Sequence, residues 1–429
     1  MRNRFLLFLF LLLLCGKGFA QQSTPSNKLD VTTFVVLGEG LAAGMADFAL
    51  RDVYQQQSFP AQIAQQIKTD FPQPLIEPPG IGSAPGFPAP EVAVPAKGQT
   101  TVREGFPPGL FVFNLSVPGF KLTDSINRRP APPLVWRNDR QQTVTNLILG
   151  YPALTLGKDV PLWSQLEYAQ NLRPTLVLIE LGYFDVLDAA VSGDPSLLPD
   201  VSAFQANYSQ VLTAMTGTFA NVIVTTIPNP LDTAYFTSLS SATRLVGAPA
   251  SVLVQLYNLQ PTDLLTVPGL AAVGRQIFAG NVGALPPGSV LSSNVASQIS
   301  SRVQALNSTI TSLAQQKGAI VYDLNGFFAR LKNQGVLVGN RILTADFQGG
   351  IYSLDGYYPG TTIHALIANE ILALLNKTFN TSFAAVDPAP LLATDPAARY
   401  TPSQARPYTL EELRAKFPRL RSASRGDRQ

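Results

Sequence analysis

Short apolar runs alternate along this chain with segments of helical periodicity. The runs at 31–37, 110–115, 175–181, 221–227 and 319–324 are rich in β-branched residues and end in turn residues, as buried strands do. Alternation of this kind is typical of an α/β fold. It predicts a doubly wound, five-stranded parallel sheet flanked by helices in three layers, with loop insertions.

Four longer segments have the apolar spacing of helices. They are residues 59–71, with Ser58 as the predicted N-cap, and residues 201–219, 291–316 and 360–375. In open parallel sheets, ligands bind beyond the carboxyl ends of the strands. The loops at 38–44, 116–123, 182–187 and 352–364 are therefore the places to look for a functional site.

The N-terminus has the pattern of a secretory signal. Arg2 and Arg4 precede an apolar run at 5–14, which is too short to span a bilayer, and Gly18 and Ala20 are the small residues of a cleavage site. We expect residues 1–20 to be a signal peptide, and the mature protein to be secreted or periplasmic without a transmembrane helix. Lipidation of Cys15 is the alternative, although a leucine directly before that cysteine is unfavourable.

Composition and charge further narrow the classes of protein to which this chain can belong. The 429 residues are 46% hydrophobic and 14% charged, which favours a packed domain over disorder. The net charge of +3 comes from the two ends, because residues 21–398 hold 20 basic and 25 acidic residues. This mildly acidic body argues against a nucleic-acid partner. We expect one α/β domain over 21–385, with insertions at about 72–108 and 230–290. Residues 386–429 are expected to form a Pro/Ala-rich and then basic tail in solvent, with an anionic surface as its alternative partner.

The four strand-end loops carry related motifs in a fixed order. They read VVLGEGLAAG at 35–44, FNLSVPGFKLTD at 113–124, IELGYFDVL at 179–187 and SLDGYYPGTTIHALIANEIL at 353–372. Together they resemble the conserved blocks of the GDSL or SGNH esterase/lipase family: Gly-Asp-Ser-Leu, Asn-Leu-x-x-x-Gly, Gly-x-Asn-Asp and Asp-Gly-x-His-Pro. The resemblance covers roughly residues 31–380 and implies that family's fold, with an ester-hydrolase site at the strand ends.

Most of the catalytic positions that the resemblance implies are replaced. The nucleophilic serine falls on Gly40, the histidine base on Tyr358 and the oxyanion-hole asparagine on Phe184. Glycine has no attacking group, and a tyrosine with an ordinary pKa near 10 is a poor base at neutral pH. Gly119 and the orienting Asp355 are kept. The chain thus resembles a degenerate member, in which backbone N–H groups of Gly40 and Gly119 remain as oxyanion or ligand donors.

The carboxylates of the same loops are the next candidates for chemistry. Glu39, Asp185 and Asp355 all follow predicted strands, and paired carboxylates can act as acid and base or bind a metal. We interpret each of them as holding its own loop. No metal or cofactor is expected. A glycine pattern at 38–44 mimics a dinucleotide fingerprint, but its third glycine comes one residue too late.

Three further side chains have a structural interpretation. His364 is the only histidine, and it matches a Gly-His-Ala-Leu-Ile-Ala run of the family rather than its base. We expect it to pack or to cap a helix locally. Ser116 and Ser353 lie near the expected pocket, but neither is on the nucleophile turn, so we expect them to form loop hydrogen bonds.

Three functions follow from these observations. The leading one is a secreted, catalytically impaired homologue whose pocket, made apolar by Phe184 and Tyr358, binds an acyl, lipid or glycan ligand. The second is an ester hydrolase that works with displaced residues such as Glu39 or His364. The third is an envelope protein that binds an unidentified protein partner through its Pro-rich insertions.

Overall fold

A computed structural model of the chain describes residues 28–78, 80–81, 111–134, 139–157, 159–399 and 405–422. The predicted signal peptide, Cys15 and most of the 72–108 insertion lie outside these residues and stay predictions. Within them, no helix is long and apolar enough to cross a membrane.

The predicted parallel sheet is confirmed. In chain order the strands are β1 Phe34–Gly38, β2 Leu176–Glu180, β3 Asn221–Thr225, β4 Phe236–Ser238, β5 Leu264–Thr266, β6 Val290–Leu291, β7 Ile320–Tyr322, β8 Val336–Val338 and β9 Arg341–Leu343. The main sheet has the order β1-β2-β3-β7, and all of its pairs are parallel. Each residue of β1 and β2 is buried, because helices cover both faces of this sheet.

The second predicted strand is the outer neighbour of β1. Val36 donates to the carbonyl of Phe113 at 2.9 Å and accepts from the N–H of Leu115 at 3.0 Å, and Val117 donates to Gly38 at 3.1 Å. These bonds align residues 113–117 parallel to β1, but Val36 and Asn114 form only an isolated bridge, so the sheet in the described part of the chain has four strands where five are predicted. The same bonds place the motif at 113–124 next to the motif at 35–44.

Helices cover both faces of the main sheet, and further helices belong to the 230–290 insertion and to the C-terminal segment. They are α1 Gly40–Ala43, α2 Asp52–Gln55, α3 Phe59–Ile67, α4 Leu122–Asn127, α5 Arg140–Ile148, α6 Tyr151–Leu156, α7 Gln165–Asn171, α8 Tyr183–Ser192, α9 Val201–Thr216, α10 Leu239–Val246, α11 Ala250–Tyr257, α12 Val267–Ala279, α13 Ser293–Lys317, α14 Leu324–Gln334, α15 Thr361–Phe379, α16 Ala389–Thr394, α17 Leu410–Lys416 and α18 Arg419–Ser422. Ser58 caps α3 as predicted. That helix stops at Ile67, four residues earlier than predicted, because Lys68 takes a left-handed φ of 57°.

The 230–290 insertion has a small core of its own. Strands β4, β5 and β6 pair antiparallel, and α10, α11 and α12 pack beside them. Leu413, Phe417 and Leu420 of the C-terminal segment are buried in the same core. The expectation of a tail in solvent is therefore wrong for residues 405–420. Its basic side chains dominate the composition, but its apolar side chains lie on one face and pack against the insertion.

Candidate functional site

The first strand-end loop places a carboxyl group where the chain turns from β1 into α1. Glu39 is the N-cap residue of α1, and its Oε1 accepts a 2.8 Å hydrogen bond from the N–H of Leu41. The backbone N–H groups of Gly40 and Gly119 also act on this carboxylate and help to lower its pKa. Because its side chain turns back over its own helix end, Glu39 is fully buried.

The last strand-end loop brings Tyr358 to the same point. Asp355 is also buried, and its Oδ1 accepts from the N–H groups of Tyr357 at 3.0 Å and Tyr358 at 2.9 Å. Its Oδ2 accepts from the hydroxyl of Ser353 at 2.8 Å. These bonds hold the loop closed, and the hydroxyl of Tyr358 donates a 2.8 Å hydrogen bond to Oε2 of Glu39. The loop aspartate thus orients a tyrosine here.

Gly40 and Tyr358 are in direct contact. A Cβ atom at position 40 would lie 2.5 Å from Oη and 2.6 Å from Cζ of Tyr358, closer than side-chain atoms approach one another. The tyrosine ring therefore occupies the space that a side chain at position 40 needs. The two positions that the resemblance pairs as nucleophile and base do meet, but in this chain they form a packed contact.

Gly119 and Phe184 complete the depression around this contact. Gly119 has a φ of 82°, a left-handed conformation that favours glycine, and the Gln141 amide packs against it. The described residues around Gly119, Phe184 and Tyr358 enclose a cavity of about 30 Å³. That volume holds about one water molecule, whereas ligand pockets usually measure about 300–1,000 Å³. The open apolar pocket expected from the sequence is therefore not present between these residues.

Glu180, a residue that the sequence analysis missed, stabilises the turn between β1 and α1. It ends β2, is buried, and its Oε2 accepts from the N–H groups of Glu39 and Ala42, both at 3.3 Å. Burial and the neighbouring Glu39 raise the pKa of Glu180 well above its usual range. Burial likewise raises the pKa of Glu39 to about 7, against the opposing effect of its hydrogen bonds. A lone glutamate inside the apolar run LVLIEL was the available signal.

The other two predicted carboxylates bind backbone donors as well. Asp185 lies in the first turn of α8 and accepts a 2.9 Å bond from the N–H of Leu122, which ties α8 to α4. Burial raises the pKa of Asp185 to about 7 and that of Asp355 to about 6. Asp185 and Glu39 thus serve separate loops. Within the described residues, no group of three His, Cys, Asp or Glu side chains could hold a metal ion.

His364 lies away from this depression and caps a helix. Its Nδ1 accepts a 3.2 Å hydrogen bond from the N–H of Phe59, the first residue of α3, and its ring stacks on the Phe59 ring at 5.9 Å. Burial lowers the pKa of His364 to about 3, so the ring is neutral at physiological pH. Capping is thus observed, although on a neighbouring helix.

The two candidate serines are also held in the loops. Ser353 donates to Asp355 and accepts a 2.9 Å bond from the N–H of Asp47. Ser116 is buried beside Gly38, where an added Cβ would lie 2.8 Å from its Oγ. Neither hydroxyl is next to a histidine, so neither has the base that a nucleophilic serine requires.

Comparisons with known proteins give a likeness in fold. No protein-family profile and no curated protein sequence matches the chain. Similar solved structures include the psychrotrophic esterase EstA from Pseudoalteromonas sp., which is 11% identical, with 82% of this chain and 100% of that chain covered and a TM-score of 0.33. LAE5, an α/β hydrolase from the metagenome of Lake Arreo, Spain, is 10% identical, with 83% and 100% covered and a TM-score of 0.38. Phospholipase A1 from Streptomyces albidoflavus NA297 is 13% identical, with 81% and 100% covered and a TM-score of 0.34. Values this low carry no argument about activity, which has to come from the site itself.

Proposed function

We propose that this protein uses a hydrolase-like α/β fold without hydrolysing esters, and that it works by binding a ligand. The observation that carries the proposal is the contact set of Glu39. Its carboxylate lies close enough to the N–H groups of Gly40 and Gly119 for both to lower its pKa, and these are the donors that an ester hydrolase of this type turns toward the developing oxyanion. An anion held there as part of the protein repels a second one.

The groups that would attack and accept a proton are missing as well. Position 40 has no side chain, and Tyr358 fills its space. Burial raises the pKa of Tyr358 well above its ordinary value, which makes its hydroxyl a still weaker nucleophile and base. A displaced catalytic set built on His364 is disfavoured, because that ring is buried against Phe59 with its Nδ1 already accepting a hydrogen bond.

Export is part of the proposal. The N-terminal pattern of Arg2, Arg4 and the apolar run at 5–14 supports a protein that acts outside the cytoplasm. N-terminal sequencing of protein isolated from the producing cell tests this part. A chain that starts at Gln21 supports secretion, whereas a lipid-modified Cys15 places the protein on a membrane.

Hydrolysis of p-nitrophenyl acetate and butyrate by the purified protein tests the absence of turnover. We expect the rate to equal that of the Glu39→Gln variant and of buffer. Glu39→Gln keeps the size of the side chain and removes its charge, which makes it a matched control for any role of this carboxylate in turnover. A rate above buffer that Glu39→Gln or Tyr358→Phe abolishes would show that a displaced catalytic set exists.

A further inference from the structure

A much larger cavity lies beside β3 and β7, at the edge of the main sheet opposite β1. It measures about 800 Å³ and runs between α13 and the residues that follow β3 and β7. We call it the polar groove, formed by residues 300–315 of α13 on one side and by Thr226, Asn229, Asp323 and Asn325 on the other. This position beyond the carboxyl ends of parallel strands is where open α/β sheets bind ligands.

The lining of the polar groove is almost free of charge and of large apolar groups. Of its fourteen residues, ten carry a hydroxyl or a side-chain amide, two are aspartates and two are valines. The 25 residues of α13 include only two charged ones, Arg302 and Lys317, and neither lines the groove. A solvent-facing helix ordinarily carries charged side chains on its wet face. Here that face presents Ser, Thr, Asn and Gln to the cavity.

The base of the polar groove is fixed by hydrogen bonds. Asn307 donates to the carbonyl of Ile227 at 2.9 Å and accepts from its N–H at 2.7 Å, which ties α13 to the segment after β3. Thr226 donates to Asp323 at 2.9 Å, and Asp323 also accepts from the N–H of Gly326 at 3.0 Å. Asp323 is thus held by hydrogen bonds to neighbouring residues. Because these bonds fix the base of the groove before a ligand arrives, the groove is preorganised for binding.

A second set of polar side chains remains open to solvent on the rim. Gln304, Ser308, Ser312 and Gln315 lie along successive turns of α13, and all four are exposed. Ser300 and Gln315 are separated by about 22 Å of helix axis at 1.5 Å per residue. Hydroxyl and amide groups each donate and accept hydrogen bonds, so such a rim suits a ligand with many hydroxyls.

We propose that the polar groove binds an uncharged oligosaccharide. Phosphates and nucleic acids are disfavoured because, among the described residues, no lysine or arginine lines the cavity. Acyl chains are disfavoured because Val303 and Val321 are the only apolar side chains among these lining residues. The volume lies within the usual range of ligand sites. A peptide added to the sheet edge is a weaker fit, since β7 has three residues and only Val321 of them lines the groove. The inference builds on the proposal that the protein works by binding, but it concerns a separate site.

Calorimetric titration of the purified protein with cellohexaose, maltohexaose and chitohexaose tests this site. We expect at least one of them to bind with a Kd below about 1 mM. Gln304→Arg, which places a long cation in the groove, should weaken that binding by about tenfold or more. Gln298→Arg is the matched control, because Gln298 is an exposed glutamine of α13 that does not line the groove, and it should leave the Kd unchanged.

Circular dichroism of both arginine variants checks that they are folded. We expect both to be folded, because both positions are exposed. The proposal is overturned if none of the three hexasaccharides binds, if both variants weaken binding equally, or if an extended peptide binds at Gln304 in their place. Ester hydrolysis is not measured in the titration. Failure here and failure of the non-hydrolytic proposal are therefore separate results.

Discussion

The hydroxyl of Tyr358 donates a 2.8 Å hydrogen bond to Oε2 of Glu39 across 319 residues of sequence, inside a site that excludes solvent. Hydrogen bonds to a buried carboxylate are stronger than those between neutral groups. This bond closes the depression at the strand ends, because it fixes both the turn after β1 and the loop before α15. The charge state of Glu39 therefore couples to the stability of the whole site.

Tyr358→Phe removes that donor and keeps the ring. We expect the free energy of unfolding to fall by about 2 kcal/mol at pH 8, where Glu39 is ionised, and by less at pH 5, where it is protonated. Chemical denaturation at the two pH values measures both. Tyr183→Phe is the control, since the buried Tyr183 hydroxyl donates to the neutral carbonyl of Tyr357 at 3.1 Å. A loss in Tyr358→Phe that is the same at both pH values would contradict the coupling.

The buried carboxyl groups should make the protein less stable as the pH rises from about 4 toward 7. Burial raises the pKa of Glu39 and Asp185 to about 7, above their values of 4.5 and 3.8 before folding. The folded state then binds more protons than the unfolded state, so its advantage is complete below about pH 4 and is lost as the pH passes about 7. We expect the free energy of unfolding to fall between about pH 4 and 7 and to level off above that.

Glu39→Gln separates this contribution from those of the other groups. The variant should lose the part of the decline that Glu39 contributes between about pH 4.5 and 7, on the order of a few kcal/mol at most. Glu411→Gln, at an exposed position of α17, should retain the full decline. Equal pH profiles for wild type and Glu39→Gln would show that Glu39 does not titrate in this range.

His364 should act in the opposite direction at lower pH. Burial lowers its pKa from 6.5 to about 3. Between these two pH values the unfolded state therefore binds a proton that the folded state does not bind. Its contribution to stability is present above about pH 6.5 and is lost as the pH falls toward 3. In His364→Gln the amide oxygen can still accept from the N–H of Phe59. This variant should therefore lose less stability between about pH 6 and 4 than wild type does in thermal unfolding.

Introducing ester hydrolysis should need a change at Glu39 as well as at Gly40, Phe184 and Tyr358, the three positions at which the sequence differs from the motifs that it resembles. Gly40→Ser, Phe184→Asn and Tyr358→His together build, beside Asp355, the set that the resemblance implies, but the Glu39 carboxylate still lies near the N–H groups of Gly40 and Gly119. We expect the triple variant to be inactive on p-nitrophenyl acetate. Adding Glu39→Asp, the shorter residue of the family's first block, withdraws that carboxylate, and we expect activity above buffer only in the quadruple variant. Equal activity in the triple variant would show that Glu39 does not block the site.

The C-terminal segment should contribute to the stability of the insertion. Phe417 is 4% exposed, and Phe417→Ala removes most of a buried ring, at a cost of about 3 kcal/mol. Limited proteolysis should then cut within residues 236–291 faster. Leu410→Ala is the control at the start of α17, the helix that Phe417 follows, since Leu410 is 50% exposed and its loss should change stability by less than about 0.5 kcal/mol. Equal cutting of both variants would mean that the segment is not needed there.

The sequence predicted the sheet and the meeting of its loops, because both depend on local patterns. Strand runs such as 175–181 and the turn at 38–40 are read from neighbouring residues alone. The Glu39–Tyr358 bond could not be found this way. It joins two residues that are distant in sequence, and it depends on the length of the glutamate side chain, which is one methylene longer than an aspartate. Phe417 was missed for another reason. Arginines and lysines dominate the composition around it, and they obscured the apolar face formed by Leu413 and Phe417.

The contact between Gly40 and the Tyr358 ring has a consequence for how this pair can change by mutation. Serine at position 40 alone collides with the ring, and histidine at position 358 alone leaves a void and takes a donor from Glu39. Each single step therefore passes through a less stable protein, whereas the two changes together relieve each other. The two positions are therefore coupled, and we expect a serine–histidine pair to cost less stability than the sum of its two single substitutions.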